Sequence, residues 1–208
     1  MAAIEFITLD VPDPTAAAGF YRDLGVGSFV HVRDAAQSST GFRGFTLSLV
    51  VSQPSIVDAF IVAALDGGAT TVKPTKKSFW GYGGVVRAPD GALWKVATSA
   101  KKDDGPAVRQ FEDLVLLLGV EGVKASKKFY IEQGLTVKKS YGSKYVEFDA
   151  PPSHVKLALY GRRALAKDAG VAPEGTGSHG ITIGNDQAPF TDPDGFAWQT
   201  VFSQTQTS

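Results

Sequence analysis

Two stretches of the chain end in the same turn and strand, APDGALWKVA at Ala88–Ala97 and DPDGFAWQTV at Asp192–Val201. Pro89-Asp90-Gly91 recurs as Pro193-Asp194-Gly195, 104 residues on, and Phe20-Tyr21 recurs as Phe129-Tyr130, 109 residues on. An internal repeat constrains a fold more than any single motif, because each copy must form the same local unit and find a similar partner. The helix of the first copy is framed by Pro12 and Pro14 before it and Gly25 after it, with Asp13 or Thr15 as cap and Ala17, Phe20, Tyr21 and Leu24 on its apolar face. The second copy has a strand over Leu114–Leu118, a helix from Val123 to Gln133, and Gly134 as its stop.

Between these landmarks the chain reads mostly as strand. SFVHVRDA, GFTLSLVVS, TTVKPTK, GGVVRAP and ALWKVAT in the first copy are rich in β-branched and aromatic residues, as are LTVKKSYG, KYVEFDA, HVKLALYG, SHGITIGN and FAWQTVF in the second. One further helix is predicted, with Ile56, Ala59, Phe60, Ala63 and Ala64 on one face and a Gly67-Gly68 stop. The second copy has no room for its counterpart, because only DQAPFT separates Asn185 from Asp192. It carries instead an insert, RRALAKDAGVAPEG, one strand earlier. The polar stretch Thr98–Gln110 with its Gly-Pro break separates the copies. The expectation is two units, 1–100 and 111–204, joined by a linker at 101–110, the second unit a degenerate copy of the first.

Composition narrows the function. The chain has 208 residues, 43% of them hydrophobic, and equal numbers of basic and acidic side chains, 21 each. Zero net charge argues against a nucleic-acid partner, which requires cationic excess to displace counterions. With no cysteine, disulfides, thiolate metal sites and a cysteine nucleophile are excluded. No apolar run is of spanning length, and the opening MAAIEFITLDV reads as a strand rather than a leader, so the expectation is a cytoplasmic protein with no membrane partner.

A strand, a Pro/Asp break, a helix with FYRDLG, and a closing strand introduced by PDG together resemble the vicinal oxygen chelate superfamily, which holds glyoxalase I, the extradiol dioxygenases and the bleomycin-resistance proteins. The resemblance covers nearly the whole chain as two fused glyoxalase-like domains. It implies an α+β fold of tandem βαβββ modules whose curled mixed sheets surround cavities. It also implies a pairing of domains that the fusion supplies within one chain, as a monomer with an internal pseudo-dimer or as a homodimer.

The same resemblance implies a divalent ion held by histidines and carboxylates on strands, acting as a Lewis acid on adjacent substrate oxygens. Carried over position by position, the ligand places fall on Phe6 and Lys95 in the first half, and on Val115 and Gln199 in the second. The strand opening the second unit offers His179. An aromatic ring cannot ligate and a lysine repels a cation, so no metal or other cofactor is expected; an atypical site would need His179 and Gln199, with Glu147 as an added carboxylate. His179 is also the candidate acid–base residue.

Lys95 is a candidate to meet an anionic ligand. Phe79, Trp80 and Tyr82, in a glycine-rich loop, are candidates to line a cavity mouth. Trp94 and Trp198 alternate with Lys95 and Gln199 and are read as packing residues on the opposite face. Asp90 and Asp194 are read as fixing their PDG turns, Lys73, Lys76 and Lys77 as a solvated strand face, and His31 and His154 as strand residues without a role. The leading functional expectation is a binding protein for a small aromatic or anionic molecule. The alternatives are a metal-dependent lyase, isomerase or dioxygenase with an atypical site in the second half, and a structural or partner-binding descendant whose cavity is filled.

Overall fold

The computed structural model describes residues 4–149 and 155–200; His154 and the last strand beyond Thr200 lie outside them. In chain order the elements are β1 (Ile4–Val11), α1 (Pro14–Leu24), β2 (Val30–Asp34), β3 (Thr40–Gly41), β4 (Phe45–Val50), α2 (Pro54–Asp66), β5 (Thr70–Ser78), β6 (Gly81–Arg87) and β7 (Leu93–Thr98). The second half adds β8 (Asp113–Val120), α3 (Val123–Glu132), β9 (Val137–Tyr141), β10 (Tyr145–Phe148), β11 (Val155–Gly161), α4 (Arg162–Ala169), β12 (Gly175–Thr176), β13 (Ile181–Asn185), β14 (Phe190–Thr191) and β15 (Ala197–Thr200).

Local chemistry sets the helices where the sequence places them. Asp13 caps α1, its carboxylate accepting from the Ala16 amide at 3.0 Å. Gly25 closes the helix at φ 87°, a left-handed conformation that glycine adopts without a Cβ clash. The predicted apolar positions of α1 are all buried. On α2 the buried face is Ile56, Val57, Phe60 and Ala64. The insert of the second half is also helical: α4 buries Leu165, Ala166 and Ala169 and ends on Gly170 at φ 83°.

The sheets do not follow the two sequence halves. Strands β4, β7, β6 and β5 lie side by side in that order, as do β8, β11, β10 and β9, and antiparallel β4 and β8 join the two groups. Each group is a complete βαβββ unit, one from each half of the chain. The remaining strands form the order β14-β15-β13-β1-β2, in which β1 of the first half pairs antiparallel with β13 of the second. Among the described residues the strand pairing that links this arm to the larger one is Ile4–Val155. Two complete units therefore pair with each other, and two shortened units pair with each other. Shortening affects both halves: in the first, β2 is followed by only the two-residue β3, which pairs with β12.

One contiguous core fills the helix-bearing faces of both arms. It includes Ile7, Leu9, Tyr21, Phe60, Leu47, Trp94, Leu116, Tyr130 and Trp198. Trp94 and Trp198 are buried there, as the alternation with Lys95 and Gln199 requires. Tyr21 and Tyr130 tie the repeats to their turns. Tyr21 donates to Asp90 and Tyr130 to Asp192, each at 2.6 Å, and burial with the adjacent carboxylate raises both phenols well above their ordinary value. Asp90 fixes its turn as expected, accepting from the Ala92 amide. Asp194 does not: Asp192 takes that task, accepting from the Asp194 and Phe196 amides. Asp194 is thereby free to reach the start of α3, accepting from the Glu121 amide just before the helix at 2.8 Å and from the Ser126 hydroxyl within it at 2.7 Å.

Candidate functional site

Strand register, read across the open face of the larger arm, brings four residues into one row. Lys95 of β7 lies opposite Ser48 of β4, Ser48 opposite Val115 of β8, and Val115 opposite Lys156 of β11. The row thus crosses the boundary between halves, joining Lys95 of the first to Val115 of the second. The other two strand candidates meet on the smaller arm, where Gly184 lies opposite both Phe6 and Gln199. The sequence reading groups Phe6 with Lys95 and Val115 with Gln199; the structure exchanges the partners, because the first strands of the units pair across the halves. Glu147 does not join His179 and Gln199. It sits on β10 of the larger arm, paired with Lys138 at 3.3 Å.

α4 rests on this open face. Leu165, Ala166 and Ala169 pack with Phe42 and Leu93, and with the half-buried Val72, Leu117 and Tyr160, in a cluster separate from the main core. Leu93 and Leu117 alternate with the core residues Trp94, Leu116 and Leu118, which places α4 on the opposite side of the sheet from α2 and α3. Its C-terminal turn holds two lysines: Lys95 pairs with the Asp168 carboxylate at 2.7 Å, and the Lys73 ammonium donates to the Asp168 carbonyl at 2.8 Å. Lys73 is therefore engaged rather than simply solvated.

Beside α4 an open groove of about 260 Å³ remains. Gly83 and Gly84 of β6 border it, with Lys73, Lys76, Lys95 and Trp80 around it and Asp168 as its one carboxylate. Neither glycine can carry a side chain without a shift of its neighbours, because a Cβ on Gly83 would stand 2.8 Å from the Val96 carbonyl oxygen and one on Gly84 2.9 Å from Thr75. Trp80 borders the groove while 83% exposed. Phe79, 80% exposed, does not border it and stands edge-on to Trp80 at the hairpin tip. Tyr82 is half-buried beside the groove, but its hydroxyl turns to the helix-bearing face and donates to Asp58 of α2 at 2.8 Å. Sequence reasoning missed Asp168, Ser48 and Lys156. The last two follow from counting strand register outward from Lys95 and Val115; Asp168 required knowing where the insert packs.

His179 is built into the scaffold. Its Nδ1 lies 2.6 Å from the Arg43 carbonyl oxygen and its Nε2 2.9 Å from the Asp194 carbonyl oxygen, and its ring stacks on Phe196 at 4.0 Å. Both ring nitrogens are thus turned toward backbone carbonyl oxygens. Arg43 returns the contact through its guanidinium, which donates to the His179 and Gly180 carbonyls. On the smaller arm the Phe6 ring lies over Gly184 and stacks with His31 at 4.4 Å.

No family model and no curated protein matches the sequence. Solved structures do match. Glyoxalase I from Zea mays is 14% identical over 97% of this chain and 92% of that one, with a TM-score of 0.63. A point mutant of the same maize enzyme, 13% identical, aligns over 96% and 93% at 0.62. A candidate dioxygenase from Bacillus subtilis is 12% identical over 95% and 84%, at 0.58. The fold is that of the vicinal oxygen chelate proteins. In that family a divalent ion is expected where the residues of such rows converge, and here the residues do not fit one. The larger row holds two ammonium groups, a serine and a valine, and the carboxylates nearest those lysines are spent on them, Asp168 on Lys95 and Asp113 on Lys156 at 2.6 Å. The smaller row offers an aromatic ring, a glycine and one neutral amide. Among the described residues no three of His, Asp and Glu converge.

Proposed function

We propose that this chain is a metal-independent binding protein that takes a small planar anion in the groove between β5–β7 and α4. The observation that carries the reading is that two of the expected ligand places, Lys95 and Val115, share a row with Ser48 and Lys156, beside a groove with three lysines and one carboxylate. A cation is repelled there and an anion attracted. Trp80 offers a π-face at the rim for a planar ligand. His179, the candidate acid–base residue, has both nitrogens committed to backbone carbonyls, so it supports a structural role rather than proton transfer.

The test is a fluorescence titration with 2-naphthoate and its neutral amide. Trp94 and Trp198 are buried, so Trp80 reports the solvent-facing signal. Saturable quenching by the acid, weaker for the amide and lost in Trp80→Ala, supports the reading. Metal content of the untagged protein and of His179→Ala, measured in parallel, decides the alternative, because stoichiometric metal lost in the variant would overturn it. A second reading is favoured by α4 itself. With Leu165, Ala166 and Ala169 seated on the open face, the fold also suits a structural role with its cavity largely filled, and an absence of titration by any planar anion supports that one.

A further inference from the structure

The outer edge of the larger arm, away from the groove, carries an unbalanced charge. From Lys124 to Lys144 the chain has six lysines and one acidic residue, Glu132, while the whole sequence is neutral. The lysines come from two elements that face each other. Lys124, Lys127 and Lys128 lie on α3, and Lys138 and Lys139 lie on β9. Among the described residues only Lys128 and Lys138 have ion-pair partners, at 3.8 and 3.3 Å. On α3 the pairs Lys124–Lys127 and Lys124–Lys128 are like charges at helical spacings of three and four, which weakens the helix. Lysines on an edge strand serve to block unwanted pairing. That explains Lys138 and Lys139 but not three more on the neighbouring helix.

The same edge presents two further features. β9 pairs only with β10 among the described residues, so its other side offers unpaired backbone donors and acceptors. Between β9 and α3 runs an open cleft of about 600 Å³, bordered by Lys124, Lys127, Lys128, Ile131 and Ser140, with Glu132 as its one carboxylate. Ile131 is 47% exposed and Tyr141, at the end of β9, 55%. We infer that this edge receives an extended acidic segment of another protein, which adds as a strand to β9 with alternate carboxylates against the α3 lysines and the intervening apolar side chains on the opposite face of the sheet, beside Tyr141. Strand addition uses the open backbone for affinity and the cleft for selection. The charge accounts for the choice of an acidic chain.

The test uses the full-length protein and a fluorescein-labelled eight-residue peptide alternating glutamate and valine, read by anisotropy. Three comparators accompany it: a lysine–valine peptide, the glutamate–valine peptide N-methylated on alternate residues, and an oligothymidylate of equal charge. Binding of the first alone, weakened about tenfold in K124E/K127E/K128E, is expected, since three exposed ion pairs are worth roughly that together. A neutral counterpart, K124Q/K127Q/K128Q, removes the like-charge pairs on α3 together with the 3.8 Å Lys128–Glu132 pair, so its melting temperature should stay level while it too loses binding, which separates lost binding from lost folding. Equal binding of the N-methylated peptide would overturn strand addition. Tighter binding of the oligothymidylate would make the edge a general polyanion surface and overturn the assignment of partner, and binding of none of the four would overturn it altogether.

Discussion

Asp168 is the one carboxylate at the proposed anion groove, and replacing it should tighten binding. In Asp168→Asn the side chain keeps its size and loses its charge. An anion about 5 Å from that carboxylate, at an effective dielectric of about 60 for an open groove, is repelled by about 1 kcal/mol. Its removal should lower Kd for 2-naphthoate about fivefold. Lys95, released from its 2.7 Å pair, becomes an additional partner. The cost to stability is small, because the pair is 36% and 41% exposed and such pairs contribute about 0–1 kcal/mol. The assay is Trp80 fluorescence at about 20 and 200 mM salt, with thermal unfolding in parallel. The gain should shrink at the higher salt as screening shortens the reach of the charge. Unchanged or weaker binding in Asp168→Asn, with an unchanged melting temperature, would refute the argument, because the groove would then not be selecting for negative charge.

Tyr130→Phe should destabilise the protein by about 2–3 kcal/mol in urea unfolding, because it removes the partner of Asp192 Oδ2 and of the Trp198 indole N–H, both buried. Burial raises the Asp192 carboxyl above its ordinary value. The folded state therefore binds more protons than the unfolded state in the window from the ordinary value up to the raised one, and this contribution to stability falls as pH rises through that window. The difference in urea midpoint between wild type and Asp192→Asn, followed from about pH 3 to 7, should track that loss. Gly184→Ala places a Cβ 2.9 Å from the Phe6 ring and should cost about 1 kcal/mol, with the cost disappearing in a Phe6→Ala background by double-mutant cycle.

The units were legible in the sequence because their signals are local. Asp13, Pro14 and Gly25 frame α1, and the Phe-Tyr and PDG repeats mark where each unit begins and closes. α4 was not legible as a helix: it is eight residues long, with four charged side chains and only Leu165, Ala166 and Ala169 to bury, a pattern that decides nothing until the sheet beneath it is known. Strand partners were hidden for a related reason. Alternation tells which face Lys95 and Val115 occupy, but not that β4 and β8 meet, since β pairing is set by long-range packing. The exchange of roles between Asp192 and Asp194 did leave a trace. The first turn reads APDG and the second DPDG, so only the second has a carboxylate to spare for α3.

The exchange of units between halves has a consequence for how the chain is made. β1 is made before the strands it pairs with, and its antiparallel partner β13 lies more than 170 residues downstream. Until then its strand partners among the described residues are the parallel strand β2 and, at Ile4, β11. Such distant pairing slows folding and leaves an apolar strand waiting. Expressed separately, the segments on either side of residues 101–110 should each leave open edges that the other fits, so that they reconstitute the sheet when produced together and aggregate when produced alone.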